Sequence, residues 1–279
     1  RPMTADTGDI AFEPRVALAS LSGAADASWA RGGALHAGAA ILGGIAVDEP
    51  TRTAARELVE RGREEFLPPD PVAFVDEQLA ALAAVPLQAG VNVRAVTDEP
   101  LARVAAVCAR HGAVLEINAH CRQAEMCRVG AGETLLGDTD RLCGQVRTAA
   151  QAGPPVSVKV RAETGVALPA LGRRLAAAGA DILHVDAMDS ESVVAGVADT
   201  DLFVVANNGV RDRATVREYL DYGADAVSVG RPSDNPAVLA QVREATGEWF
   251  AEHRSDPADG SPTADRVRAQ DTHRHREGR

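Results

Sequence analysis

Strand-like and helix-like stretches alternate along the chain, and that alternation most limits what it can fold into. Short apolar runs bounded by glycine, proline or aspartate read as strands, and longer runs with apolar side chains every third or fourth residue read as helices. A strand starts at Arg15 and ends in a glycine turn before Asp26; an alanine-rich helix over 28–42 follows, then a strand from Gly43 to Asp48. Two helical stretches, 49–66 and 71–84, are split by Leu67-Pro-Pro-Asp70, with Asp70 as N-cap and Pro71 at the first helical position. From there strands at 87–94, 114–118, 156–161, 181–186, 202–206 and 225–229 alternate with helices at 98–111, 135–151, 167–178, 190–198, 212–222 and 235–253. Eight β-α units in roughly 240 residues predict an α/β fold of the TIM-barrel, (β/α)8, type. A doubly wound sheet would carry Gly-x-Gly-x-x-Gly after its first strand, and no such motif is present.

We expect one barrel domain over 14–254, a loose segment over 1–13, and a disordered charged tail over 255–279, whose composition offers little apolar area to bury. Only one helix and that tail follow the last strand, so no separate C-terminal helical domain is expected.

Net charge and cysteine content bound the setting. The formal charge is −11, aromatic residues make up 3 %, and of 29 basic side chains only Lys159 is a lysine. An acidic chain ordinarily argues against a nucleic-acid partner. Here the acidity resembles adaptation to a salt-rich cytoplasm, and net charge then says little about partners. The N-terminus is polar, without the apolar core of a secretory leader, and no apolar run reaches membrane-spanning length. Four cysteines in 279 residues do not make a disulfide framework. These features predict a cytoplasmic protein with no membrane partner; they leave the oligomeric state unknown.

In a TIM barrel the working residues sit at the C-terminal ends of the strands and in the loops that follow. Those positions carry Asn92 and Arg94 on the third strand, and Glu116, Asn118, His120 and Cys121 on and after the fourth. The fifth carries Lys159 and Arg161, and the sixth His184 and Asp186. Asn207, Asn208 and Gly209 follow on the seventh, Gly230 and Arg231 on the eighth. Lys159 alternates with Val156, Val158 and Val160 on a buried strand, where a compact charge does what a wide guanidinium fork cannot. Gly209 and Gly230-Arg231 occupy the place where these barrels hold a phosphate, with backbone N–H groups, helix N-termini and a guanidinium as donors.

Other chemistry-bearing residues have plainer readings. Cys108 and Cys143 lie on apolar helix faces, His36 and His111 at helix ends, and Glu116 is placed to pair with Lys159 or Arg161. His120, Cys121 and Cys127 match no common zinc spacing, so no metal site is expected. Arg122 and Arg128 flank the loop and suit RNA phosphate, a small anion or solvent equally.

Asn118-Ala-His-Cys121, Gly130-Ala-Gly-Glu-Thr-Leu-Leu136, Ser157-Val-Lys-Val-Arg161, Asn208-Gly209 and Ala224-Asp-Ala-Val-Ser-Val-Gly-Arg231 form an ordered set. In order and spacing the set resembles the tRNA-dihydrouridine synthases, more specifically an archaeal branch of related TIM-barrel proteins, over about residues 15–245. The resemblance implies FMN at the top of the barrel, NADPH as reductant, and reduction of the 5,6 double bond of uridine in tRNA. It places Lys159 against the flavin and makes Cys121 the general acid that protonates carbon 5; a thiol is protonated near neutrality and can donate. It assigns Asn92, Asn118, His184, Asp186, Asn208, Gly209, Gly230 and Arg231 to the cofactor, and His120 and Arg122 to the substrate loop. The chain departs from the family pattern at several of these positions, beginning with Asn92, where the family usually has Gln. The family's Gly-Cys-Pro reads His120-Cys121-Arg122, and its histidine at the end of the sixth strand aligns with Asp186, with His184 two residues earlier on the same strand face. Two other readings stay open: a flavin-dependent reductase or dehydrogenase of a free small heterocycle (dihydroorotate-like or pterin-like), and a non-catalytic barrel that binds a phosphate ligand.

Overall fold

In a computed structural model, which describes residues 12–254, eight parallel strands close into a barrel in sequence order. They are β1 (Val16–Leu18), β2 (Ala39–Ala46), β3 (Gln88–Arg94), β4 (Val114–Ala119), β5 (Val156–Arg161), β6 (Ile182–Asp186), β7 (Phe203–Asn207) and β8 (Ala226–Val229). Helices α1 (Ala27–Gly33), α2 (Glu49–Glu60), α3 (Pro71–Ala80), α4 (Asp98–Arg110), α5 (Ala124–Arg128), α6 (Thr134–Gly137) and α7 (Thr139–Gln151) occupy the first half of the outer ring. After β5 come α8 (Leu168–Ala178), α9 (Val193–Val197), α10 (Arg213–Asp221), a 3-10 turn (Arg231–Asp234) and α11 (Pro236–Arg254). This is the (β/α)8 barrel expected from the alternation. Of the segments expected to be loose (1–13) and disordered (255–279), residues 1–11 and 255–279 lie outside the described residues.

Aspartate caps start several of the helices. Asp26, Asp48, Asp70, Asp138 and Asp212 each accept a main-chain N–H in the first turn of α1, α2, α3, α7 and α10. Asp48 does more than cap: its second carboxylate oxygen accepts the N–H groups of Val96 (2.6 Å) and Thr97 (2.8 Å), tying the start of α2 to the loop after β3. Asp138 also explains why the helix expected over 135–151 is two helices. The Asp138 side chain caps Arg141 N, and α6 stops one residue earlier.

The helix expected over 28–42 is corrected. It ends at Gly33, and Ala39–Ala46 is a strand buried along its whole length. A parallel strand covered on both faces reads as an uninterrupted apolar run, and an alanine-rich run of that kind carries no period that separates strand from helix.

Strand alternation sorts the side chains. On β5, Val156, Val158 and Val160 point outward into the main core with the surrounding helices, while Ser157 and Lys159 take the opposite face. Inside, Phe12, Ala17, Ala39, Val114, Ile182, Phe203, Val205 and Ala226 close the N-terminal end, with the rings of Phe12 and Phe203 at 5.7 Å. A small cavity lies on this layer, between Phe12, Ile41, Val114 and Val205, with Glu116 and His184 at its border. It is on the side away from the loops, so it is not the site considered below. Among the described residues no helix is long and apolar enough to cross a membrane.

Candidate active site at the barrel mouth

Above the apolar layer, inward positions on six successive strands are polar and joined by hydrogen bonds. Asn92 on β3, Glu116 and Asn118 on β4, Ser157 on β5, His184 on β6, Asn207 on β7 and Ser228 on β8 are all buried. Glu116 is the hub. Its Oε1 accepts from Asn92 Nδ2 (2.8 Å), and its Oε2 accepts from Ser157 Oγ (3.1 Å) and from His184 Nδ1 (2.8 Å). Across the barrel, His184 Nε2 lies 2.7 Å from Ser228 Oγ, which also accepts from Asn207 Nδ2 at 2.8 Å.

Protonation states follow from these partners. Burial pulls the His184 imidazole below its usual range, and Lys159 adds to the pull; it is neutral, with the proton on Nδ1 facing Glu116 and Nε2 accepting from Ser228. Burial alone would raise the Glu116 carboxyl, but His184, Lys159 and the hydrogen bonds outweigh it and hold it down at about 2. The expectation that Glu116 forms an ion pair with Lys159 or Arg161 is therefore corrected: its direct partners are His184, Asn92 and Ser157. Arg161 instead lies 3.9 Å from Glu133.

The network reaches the loop after β4. Asn92 Oδ1 accepts from Asn118 Nδ2 (2.8 Å), and Asn118 Oδ1 accepts the main-chain N–H groups of His120 (3.3 Å) and Cys121 (3.0 Å). The Cys121 side chain turns elsewhere. It is 9 % exposed and packs with Ala46, Ala54, Ala55, Leu58 and Met126. The Cys121 carbonyl accepts Glu133 N (2.9 Å) and lies 2.2 Å from where a Cβ on Gly132 would stand, so only glycine lets that chain pass.

Lys159 is 2 % exposed at the edge of this layer, and its ammonium makes no hydrogen bond or ion pair within 4 Å among the described residues. Burial pulls it below the usual lysine range against the opposing fields of Glu116 and Asp186. Asp186 Oδ1 accepts from Asn208 Nδ2 (2.8 Å), and Asp186 Oδ2 lies 3.9 Å from His120 Nε2. Burial and Lys159 push the His120 imidazole well below its usual range. Gly209, with φ +68°, opens the loop before α10; Gly230 has no atom within 4 Å of an added Cβ, and Arg231 beside it is exposed. These are open backbone surfaces with a guanidinium at hand. Arg122 is exposed and stands outside the network.

The structure thus gathers Asn92, Asn118, His120, Lys159, His184, Asp186 and Asn208 at or under the mouth and leaves the Cys121 thiol to one side. Sequence reasoning missed the buried pair of Arg94 with Glu65 (2.6 Å) and Ser22, which also bonds Arg94. Glu65 lies in a loop with no motif around it. It also passed over Gly44, where a Cβ would stand 2.6 Å from Asn92 Oδ1. Among the described residues no three His, Cys, Asp or Glu side chains are grouped to hold a metal ion.

A closed barrel of eight parallel strands with polar side chains gathered at the C-terminal mouth defines a TIM-barrel protein, a class whose sites lie at that end. The sequence profile of the dihydrouridine synthase family matches residues 82–273, and the chain belongs to that family, whose members are in general flavin-dependent oxidoreductases acting on tRNA. An uncharacterized protein of Methanocaldococcus jannaschii is 28 % identical over 234 residues, covering 79 % of this chain and 89 % of that protein. Solved structures share the fold. DHODH from Eimeria tenella, in complex with ferulenol, matches with a TM-score of 0.63 at 14 % identity, over 87 % of this chain and 83 % of that one. The BexX/CysO complex of Amycolatopsis orientalis matches with 0.56 at 18 % identity, over 90 % and 95 %. The 3-hexulose-6-phosphate synthase of Salmonella typhimurium matches with 0.52 at 16 %, over 85 % and 99 %.

Proposed function

We propose that this protein is an FMN-dependent oxidoreductase that reduces the 5,6 double bond of uridine, with NADPH as reductant. The observation that carries the reading is Lys159. A largely buried ammonium with no partner among the described residues, in a chain whose other basic side chains are all arginine, suits a ligand that brings negative charge or carbonyl oxygens to the mouth. The residues present suit FMN: Gly209, Gly230 and Arg231 for its phosphate, and Lys159 and Asn208 for its ring, while the amides of Asn92 and Asn118, assigned to the cofactor by the resemblance, are taken up by protein partners beneath it. When bound, FMN supplies the hydride that reaches carbon 6 of the pyrimidine. The protein supplies orientation and charge.

Each residue has a defined task in this reading. Lys159 stabilises negative charge that develops beside it, and Glu116, held ionised, keeps that ammonium charged against its burial. Asn92 and Asn118 fix the start of the loop that carries Cys121. Cys121 is the thiol that gives its proton to carbon 5, a role that requires its side chain to leave the apolar cluster in which it packs. His120 and Arg122 border the substrate.

The test is a visible spectrum of the purified protein, then nucleoside analysis of tRNA from a strain lacking it. Flavin absorbance near one per chain, lost in Lys159→Ala, together with missing dihydrouridine is the expected result. A colourless protein that takes up no added FMN would overturn the reading. Bound flavin with unchanged dihydrouridine would move the substrate to a free small heterocycle.

A further inference from the structure

His120 and Asp186 are far apart in sequence, and the barrel sets them face to face. Asp186 is held from below: Asn208 Nδ2 donates to its Oδ1 at 2.8 Å, and the Asn208 carbonyl accepts the Tyr219 hydroxyl at 2.9 Å. The main chain of His120 is held by Asn118. Between these fixed ends, Nε2 lies 3.9 Å from the Asp186 carboxylate. That is an electrostatic neighbour rather than a hydrogen bond, yet its field selects the tautomer with the proton on Nε2. Nδ1 is then an acceptor, and although the ring as a whole is 27 % exposed, Nδ1 itself is buried with no hydrogen-bond partner.

A buried acceptor without a donor is unfavourable until one arrives. Lys159 presents the complementary case, an ammonium whose donors find no acceptor among the described residues. The strand register pairs Lys159 with Asn118, which holds the His120 main chain, and the lysine charge reaches the imidazole; a lone acceptor and a lone donor group so placed match a ligand edge that carries N–H beside C=O. We propose that His120 Nδ1 accepts the imide N–H of a pyrimidine-2,4-dione ring, that Lys159 takes the adjoining carbonyl oxygen, and that Asp186 acts as a positioning residue by fixing the imidazole tautomer. The proposal rests on the flavin reading above and gives the specificity of that site. Both a flavin and a uracil base carry this edge, and the experiment separates them.

FMN and its 3-methyl derivative are titrated into flavin-free protein by fluorescence quenching; uridine and 3-methyluridine are titrated into the FMN-loaded protein by flavin difference absorbance. Wild type is expected to prefer the N–H form in one pair by about tenfold or more, the loss expected for a buried hydrogen bond. Preference in the flavin pair assigns His120 to the cofactor edge, and preference in the uridine pair assigns it to the substrate edge. His120→Ala removes the preference, and His120→Asn, whose side-chain oxygen also accepts, retains it. Asp186→Asn, which can donate to Nε2 and reverse the tautomer, loses the preference while binding the N-methyl form of that pair as wild type does. FMN binding in which neither pair is discriminated, or in which His120→Ala keeps the preference, overturns the proposal and leaves the flavin reading standing. Failure to bind FMN at all overturns both.

Discussion

Glu116→Gln probes the polar core at constant volume, exchanging one oxygen for an amide nitrogen and removing one charge. The hydrogen bonds that end at Glu116 run in one direction. The main-chain N–H groups of His120 and Cys121 can only donate, so Asn118 must offer them its oxygen. Asn118 Nδ2 then donates to Asn92 Oδ1, and Asn92 Nδ2 donates to Glu116 Oε1. Glutamine has one oxygen where three donors converge on two. Turned to accept from Ser157 and His184, it sets its own NH2 against that of Asn92; flipping Asn92 only passes the conflict to Asn118 and then to the two main-chain donors. Turned the other way, it keeps Asn92 only if His184 moves its proton to Nε2 and the Ser228 hydroxyl turns to the Ala206 carbonyl at 3.5 Å, so the exchange leaves either an unsatisfied donor or a poorer set of bonds, at a cost of about 1–3 kcal/mol. Removing the carboxylate also removes the field that opposes the burial of Lys159, which acts in the same direction. A separate route gives a similar size. The Glu116 carboxyl sits at about 2 when folded against an ordinary 4.5, and at 1.36 kcal/mol per unit this difference is worth about 3 kcal/mol. Because the folded value is the lower one, that stability is fully present above pH 4.5 and is lost as the pH falls toward 2. Guanidinium unfolding at pH 7 should therefore find Glu116→Gln about 3 kcal/mol less stable than wild type. The gap should narrow between pH 4.5 and 2 as the wild-type carboxylate takes up its proton. A gap below about 1 kcal/mol at pH 7, or one that stays constant through that window, would show that the carboxylate is not the ionised hub described here.

His184 sets an earlier onset of acid lability: its folded value lies below the ordinary 6.5, so the unfolded chain binds its proton first and stability declines as the pH drops below 6.5. His184→Gln should shift that onset in pH-dependent melting toward the lower window of Glu116. Glu65→Gln leaves the buried Arg94 guanidinium without its counter-charge and should destabilise by about 3–5 kcal/mol in the same unfolding assay, with no change there meaning the pair is open to water. Gly132→Ala places a Cβ 2.2 Å from the Cys121 carbonyl, so the loop must move; faster labelling of the Cys121 thiol by a maleimide is the expected readout. Tyr219→Phe removes the donor to the Asn208 carbonyl and should cost about 1 kcal/mol by thermal melting.

The barrel and several helix starts were legible because they depend on short-range pattern. Asp70-Pro71 begins α3 as expected, and the same local chemistry caps α2 and α10. Strand β2 was misread because its interior carries no alternation, both faces being covered. The candidate residues were found by one rule, that polar groups at the C-terminal ends of barrel strands converge. The rule gives convergence without partners. Glu116 shares a strand face with Asn118 and was matched by charge to Lys159 or Arg161, yet its hydrogen bonds go to Asn92, Ser157 and His184 on three strands. Ser228, at the other end of that chain of bonds, sat in a quoted motif with no role assigned.

By itself, the sequence determined the class of fold, the end of the barrel where chemistry gathers, and the singular place of Lys159, since all three follow from periodicity, chain direction and residue type. Tertiary structure alone decided which polar groups satisfy one another and which are left over. The tilt of each strand brings Glu116 beside His184 and His120 opposite Asp186, and it turns the Cys121 thiol into apolar packing. Hydrogen bonds span about 3 Å and tolerate little misdirection, so partners are fixed by the register between strands, which no single stretch of sequence encodes.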